Sequence, residues 1–103
     1  VGKRVIKKIL IANRGEIALR IIHAVRELGC VSIVAYSQAD ADSPPVQAAD
    51  ESFFLKGEEV RDTYLDMDQM LAAAKQFGCD AVHPGYGFLA ENAEFARRCQ
   101  KAG

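Results

Sequence analysis

Lys8-Ile9-Leu10-Ile11-Ala12-Asn13-Arg14-Gly15-Glu16-Ile17-Ala18-Leu19-Arg20 opens the stretch that decides the fold, and the stretch runs on to Tyr36. Its first five residues are nearly all apolar, the pattern of a strand covered on both faces in a parallel sheet. Beyond Asn13, the residues Ile17, Ile21, Ala24, Val25 and Leu28 recur at helical spacing, while Arg20, His23 and Glu27 share the opposite side. Asn13 followed by Glu16 predicts a capping-box start with Asn as the cap, and Gly29 predicts the stop. Val31 to Tyr36 reads as a second strand. Strand, helix and strand within about thirty residues make a βαβ unit, with a right-handed crossover expected.

The same rhythm continues outward. Ser37 to Asp50 is polar, holds Pro44-Pro45, and reads as a loop with at most one helical turn around Val46 to Ala49. Ser52 to Leu55 reads as a third strand, and Lys56 to Thr63 as a charged loop. Asp66 and Gln69 open a helix with Met67, Met70, Leu71, Ala74 and Phe77 on one face, closed by Gly78. A fourth strand over Asp80 to His83 and a last helix from about Asn92 to Ala102 complete the pattern. Leu28-Gly29-Cys30-Val31 and Phe77-Gly78-Cys79-Asp80 occupy equivalent places in two successive units, which supports an alternating α/β chain. The expected fold is therefore α/β, an open parallel sheet with helices on both faces, in one domain over residues 1–103. In this rhythm a further strand would follow Gly103, so the chain is expected to be part of a longer protein.

With 103 residues, half of them apolar, the chain can bury one core at a radius of gyration of about 13 Å. Thirteen basic and 14 acidic residues are spread along it, leaving no basic stripe for phosphate backbones, so nucleic acid is not expected as a partner. No apolar run approaches the ~20 residues of a membrane span, and Val1 to Ile6 lacks the apolar core of a secretory leader. A soluble, cytoplasmic protein is expected, mitochondrial if eukaryotic. Cys30, Cys79 and Cys99 are isolated in or beside apolar segments, as reduced structural cysteines are. No Cys-x-x-Cys or His-x-x-x-His spacing exists, so no metal site is expected.

Ligands of an open parallel sheet bind beyond the carboxyl ends of its strands, which points to four loops: 13–16, 37–45, 56–63 and 84–92. The first lacks the Gly-x-Gly-x-x-Gly of a dinucleotide site, and Glu16 puts negative charge where a phosphate would dock. No Gly-x-x-x-x-Gly-Lys-Ser/Thr is present either. Arg14 can pair with Glu16 or reach an anion across a cleft. Glu16, Glu91 and Asn92 read as helix-start residues. The fourth loop is different. In His83-Pro84-Gly85-Tyr86-Gly87-Phe88-Leu89-Ala90-Glu91-Asn92, Pro84 ends strand pairing and two glycines flank one aromatic ring. A ring so placed has little local packing to do, and Tyr86 is a candidate for stacking on a ligand or on another domain. No carboxylate pair is identifiable, and neither histidine has a visible partner for base catalysis.

Taken together, Lys8 to Ala18, Ala49-Asp50-Glu51, Thr63-Tyr64-Leu65 and His83 to Asn92 closely resemble the N-terminal domain of biotin carboxylase, in order and at similar spacing through nearly the whole chain. The resemblance implies a Rossmann-like, nucleotide-binding-like domain that precedes an ATP-grasp domain. In that family, an ATP-dependent ligase uses ATP and magnesium to activate bicarbonate as carboxyphosphate and carboxylates biotin on a carrier domain. It implies that Tyr86 and Gly87 lie beside the biotin rings, and that Arg20, His23 and Glu27 face a homodimer interface. The family commonly has Arg where this chain has His23. It also often has a Gly-Pro loop where this chain has Lys56-Gly57-Glu58-Glu59, and His where this chain has Pro45.

The ATP, magnesium and bicarbonate ligands of the family belong to domains that follow this one, so no catalytic residue and no cofactor is expected on residues 1–103 alone. Expected partners are the remaining biotin carboxylase domains, the biotin carboxyl carrier domain and a carboxyltransferase. Asp40-Ala41-Asp42-Ser43-Pro44 is similar to acyl-CoA carboxylase α-subunits, which favours an acetyl- or propionyl-CoA acceptor and a role in fatty acid biosynthesis. The alternatives are the same domain of pyruvate carboxylase, another ATP-grasp ligase, and a non-catalytic binding module.

Overall fold

Leu10, Ile11 and Ala12 have no exposed surface, and they pack to two sides: Leu10 and Ala12 join one apolar cluster, Ile11 the other. A strand buried on both faces can afford no polar side chain there, which is why this run is continuous rather than alternating. The computed structural model describes residues 5–103, so four positions of the Val1 to Ile6 reading lie outside it. Strand β1 (Lys8–Ile11) pairs in parallel with β2 (Val31–Tyr36) on one side and β4 (Ala81–His83) on the other, and β3 (Glu51–Phe54) pairs in parallel with β2. The sheet order is β3-β2-β1-β4.

Helices cover both faces as expected. On one side lie α1 (Gly15–Glu27) and α2 (Pro44–Ala48), with Ala18, Ile21, Ile22 and Val25 closing over Ile11 and Val34. On the other lie α3 (Met67–Phe77) and α4 (Ala93–Ala102), whose Met70, Ala73 and Phe95 meet Leu10, Ile33 and Ala35. The radius of gyration is 12.7 Å, as the chain length implies.

Several local expectations need correction. The α1 stripe is not quite the one read from spacing: Leu28 is 76% exposed and Ala24 also faces solvent, while Ala18 and Ile22 take the core positions. Leu28 is the C-cap, and Gly29 turns left-handed immediately after it (φ 74), so this residue closes the helix rather than joining its buried face. The 37–50 segment holds a 3-10 turn at Gln38–Asp40 as well as α2, and α2 begins at Pro44, earlier than expected. Proline suits that first turn, because its fixed φ is helical and its missing N–H would have had no partner. The capping box at Asn13 does not form. The N-cap of α1 is Arg14, with no side-chain cap bond. By contrast, Asp66 caps α3 by accepting from Gln69 N–H, Asn92 caps α4 by accepting from Phe95 N–H, and Gly78 ends α3 in the left-handed conformation.

The chain steps outward from β1 through β2 to β3, then crosses back to place β4 on the opposite side of β1. That reversal opens a crevice beyond the carboxyl ends of β1 and β4, the position where ligands of such sheets bind.

Candidate functional site

The β1–β4 register sets Ile11 beside His83, and the Ala12 N–H continues it by donating to the His83 carbonyl at 3.1 Å. Asn13, 1% exposed, thereby arrives next to Pro84. Its Nδ2 donates to the carbonyls of Pro84 (2.8 Å) and Tyr86 (2.9 Å), and its Oδ1 accepts the Arg14 N–H at 2.7 Å. Both amide protons are therefore engaged in holding two loops together, and the oxygen is turned to the Arg14 N–H rather than to the first turn of α1. This is why the sequence rule failed at Asn13.

The glycines of the loop have separate jobs. A Cβ on Gly85 would stand 2.8 Å from both Asn13 Nδ2 and Ile17 Cγ2, so only glycine allows the clip to close. Gly87 has open space around it but a φ of +79, so it serves the turn rather than an approach. Between them Tyr86 is 74% exposed. His83 Nδ1 accepts the Gly85 N–H at 3.1 Å, which requires the ring proton on Nε2. Beyond Gly87, Phe88 takes a φ of 46, the one non-glycine residue with positive φ among those described. That conformation costs about 1 kcal/mol and persists where surrounding contacts fix it. The contacts are visible: Leu89 is buried, and the Phe88 ring lies 5.3 Å from that of Tyr64 at 34°.

Tyr64, 2% exposed, leads into a polar cluster at the ends of β1 and β2. Its hydroxyl donates to Asp40 Oδ2 at 2.7 Å and accepts the Ser37 N–H at 3.1 Å. Arg14 meets the same carboxylate with a fork, Nε to Oδ2 at 2.7 Å and Nη2 to Oδ1 at 2.6 Å, and its guanidinium lies 5.9 Å from the Tyr64 ring centroid. Two-point pairing of this kind fixes orientation as well as distance. The hydrogen-bonded Arg14 guanidinium, aided by the Tyr64 hydroxyl, holds the Asp40 carboxyl below its ordinary range. Arg14 is held more firmly protonated, chiefly by its hydrogen bond to Asp40. Burial, with the hydrogen bond to Asp40, pushes the Tyr64 phenol up, so it remains a donor.

Three of the four loops singled out from the sequence thus converge here, 13–16, 37–45 and 84–92, and the remaining one, 56–63, leads into Tyr64. The residues expected to act fall into two groups. Tyr86 and Gly87 are at the crevice. Arg20, His23 and Glu27 are exposed on the outer side of α1, where Arg20 Nε pairs with Glu16 Oε1 at 3.2 Å. Glu16 is therefore a surface partner of Arg20 rather than a capping-box residue, and Arg14 pairs with Asp40 rather than with Glu16. Sequence reasoning passed over the clip role of Asn13 and the cluster of Asp40 and Tyr64. Only the Thr63-Tyr64-Leu65 triplet signalled the last of these, through resemblance.

Biotin's fused rings suit an exposed tyrosine held out between two left-handed glycines, since its ring face is open to stacking. Magnesium does not suit these residues: among those described, no group of three or more His, Cys, Asp or Glu side chains stands together. Cys30, Cys79 and Cys99 are free, half-buried thiols, and burial pushes those of Cys79 and Cys99 up, away from reactivity. A groove of about 700 Å³ lies between α3, α4 and the start of β4, away from Tyr86. No helix among the described residues is long and apolar enough to cross a membrane.

The family model described as "Biotin carboxylase, N-terminal domain" matches residues 5–103. Biotin carboxylase 1 of Bacillus subtilis is 55% identical over 96 residues, covering 93% of this chain and 21% of that protein. The biotin-dependent acyl-coenzyme A carboxylase alpha3 subunit of Mycobacterium leprae is 50% identical over 98 residues, covering 95% of this chain and 16% of that one. Among solved structures, the urea carboxylase of Kluyveromyces lactis superposes with a TM-score of 0.91 at 47% identity, over 93% of this chain and 8% of that chain. The biotin carboxylase domain of a single-chain bacterial carboxylase gives 0.90 at 48% identity, over 94% and 22% respectively. The chain spans at most about a fifth of the length of these relatives.

Proposed function

This chain belongs to the family of biotin carboxylase N-terminal domains, and on that premise we propose that it is the opening domain of an ATP-dependent ligase that carboxylates biotin. The observation that carries the reading is Tyr86, 74% exposed between two positive-φ glycines at the β1–β4 crevice. In this role Tyr86 presents its ring to the ureido ring system, and Gly87, through its left-handed turn, sets that ring out over the crevice beside the ligand. ATP and magnesium supply the phosphoryl chemistry that activates bicarbonate, on an ATP-grasp domain that follows residues 1–103. This chain's own residues bind and orient; none transfers a proton or a phosphoryl group.

The acceptor we favour is an acyl-CoA, acetyl or propionyl, in fatty acid biosynthesis; the likeness to the M. leprae subunit supports it. The carboxyl group travels on a biotin carboxyl carrier domain to a carboxyltransferase, and the enzyme works in the cytoplasm, or in mitochondria in a eukaryote. Arg20, His23 and Glu27, exposed together on α1, form the chain's share of a homodimer contact. The test is biotin- and bicarbonate-dependent ATP cleavage, measured on the full-length protein and on residues 1–103. The extended chain is expected to cleave ATP in response to both substrates and the short one to be inert. Equal rates, or no response to biotin in the extended chain, would overturn the proposal.

A further inference from the structure

The glycine loop is supported on two sides, and Tyr86 lies between the supports. On its N-terminal side, Asn13 holds the carbonyls of Pro84 and Tyr86. On its C-terminal side the support is Phe88, whose left-handed backbone is fixed by its ring lying on Tyr64. Tyr64 is in turn tied down by a hydroxyl that donates to Asp40 and accepts from Ser37 N–H, and Asp40 is fixed by the Arg14 fork. Arg14 adjoins Asn13 in sequence, and its N–H is bonded to Asn13 Oδ1, so the two supports share one origin at the end of β1. Asn13, Arg14, Asp40, Tyr64 and Phe88 thus form one continuous frame around the loop.

We infer that Arg14, Asp40 and Tyr64 are positioning residues for the substrate ring contact of Tyr86: the Arg14–Asp40–Tyr64 strut, acting through Phe88, sets the loop's height over the crevice. Fold stability alone does not call for a charged cluster here: the Arg14 side chain is 47% exposed and that of Asp40 12%, and an ion pair open to solvent on one side adds little net stability. What a bidentate pair adds is fixed geometry. None of the three need touch substrate. The inference rests on the biotin reading of the site for its ligand and on the geometry alone for the strut.

The experiment uses the full-length protein carrying Tyr64→Phe, Tyr64→Leu or Asp40→Asn, read in two ways. Tyr64→Phe keeps the ring on Phe88 but releases the tie to Asp40, and the KM for free biotin is expected to rise about fivefold, part of the worth of one hydrogen bond to a carboxylate, since Tyr64 acts on the loop only through Phe88. Tyr64→Leu also loses the ring pair, and the rise is expected to reach about tenfold or more. Biotin-independent ATP cleavage and the KM for ATP stay at wild-type values. Amide exchange at Ala90 and Asn92, whose N–H groups bond to Gly87 and Leu89 carbonyls, quickens about tenfold, while exchange in β2 does not change.

Wild-type biotin KM and exchange in Tyr64→Phe and Asp40→Asn would overturn the strut. So would parallel loss of biotin and ATP kinetics with faster exchange throughout the sheet, which is a folding role only. If the wild-type protein shows no biotin dependence, the biotin reading fails on that control, and the exchange at Ala90 and Asn92 still decides whether the strut holds the loop.

Discussion

The starts of α1 and α4 look alike in sequence and behave differently in the structure. Each has an asparagine at the boundary. Asn92 accepts the Phe95 N–H at 3.0 Å and does what a helix cap does. Asn13 leaves α1 uncapped and directs both amide protons across the sheet to the glycine loop. A helix start without its cap loses about 1 kcal/mol. The clip that replaces it satisfies two carbonyls at the mouth of the crevice. Where a strong local rule is broken by a residue fully able to obey it, that residue is serving a site; here the departure marks the place where Tyr86 is presented.

The comparison can be broken most sharply at Gly85. Gly85→Ala forces a Cβ against Asn13 and Ile17 in a left-handed residue, and a loss of about 3 kcal/mol is expected from crowding and backbone strain combined. Gly87→Ala meets nothing within 4 Å and should cost only the strain, about 1 kcal/mol. Urea unfolding of the two variants checks this, and equal losses would mean that the clip does not constrain Gly85.

Next comes the pair of asparagines themselves. Asn13→Ala is expected to cost about 2 kcal/mol, because two part-buried carbonyls lose their donor at once, against about 1 kcal/mol for Asn92→Ala, an ordinary cap deletion. Measured by the same unfolding midpoints, a larger loss at Asn92 would reverse the ranking.

A smaller effect should appear with acid. The Asp40 carboxyl is held below its ordinary 3.8 mainly by the Arg14 hydrogen bond. A depressed carboxyl contributes stability that is complete above the unfolded value and is lost as pH falls through the folded one. Wild-type protein should therefore lose this contribution only below about pH 4. Asp40→Asn should flatten that acid limb while leaving the slope near neutral pH alone. An unchanged acid limb in thermal melts from pH 5 downward would remove Asp40 from the frame.

Much of the architecture was legible because it is written in local terms. The continuous apolar run of β1, the alternation of units, the caps at Asp66 and Asn92 and the left-handed stop at Gly78 each need only neighbours a few residues away. Leu28 shows the limit of spacing: it sits on the expected stripe, yet as the C-cap it is left exposed. The bend and the exposed ring of the glycine loop were legible, but not what holds them. Asn13 bonds across more than 70 positions, and Arg14 and Tyr64 reach Asp40 across 26 and 24. Those meetings depend on strand order and register, for which no short stretch of sequence carries a signal.

The central claim is that the loop between Gly85 and Gly87 offers its ring to biotin while the reactive groups lie on other domains. Tyr86→Ala in the full-length protein addresses it directly, because an exposed side chain can be removed without opening the core. The measurement is the KM for free biotin beside the affinity for ATP. The expected result is a biotin KM raised about tenfold, the value of one stacked ring, with ATP binding and the unfolding midpoint unchanged. An unaltered biotin KM, or equal losses for biotin and ATP, would contradict the account.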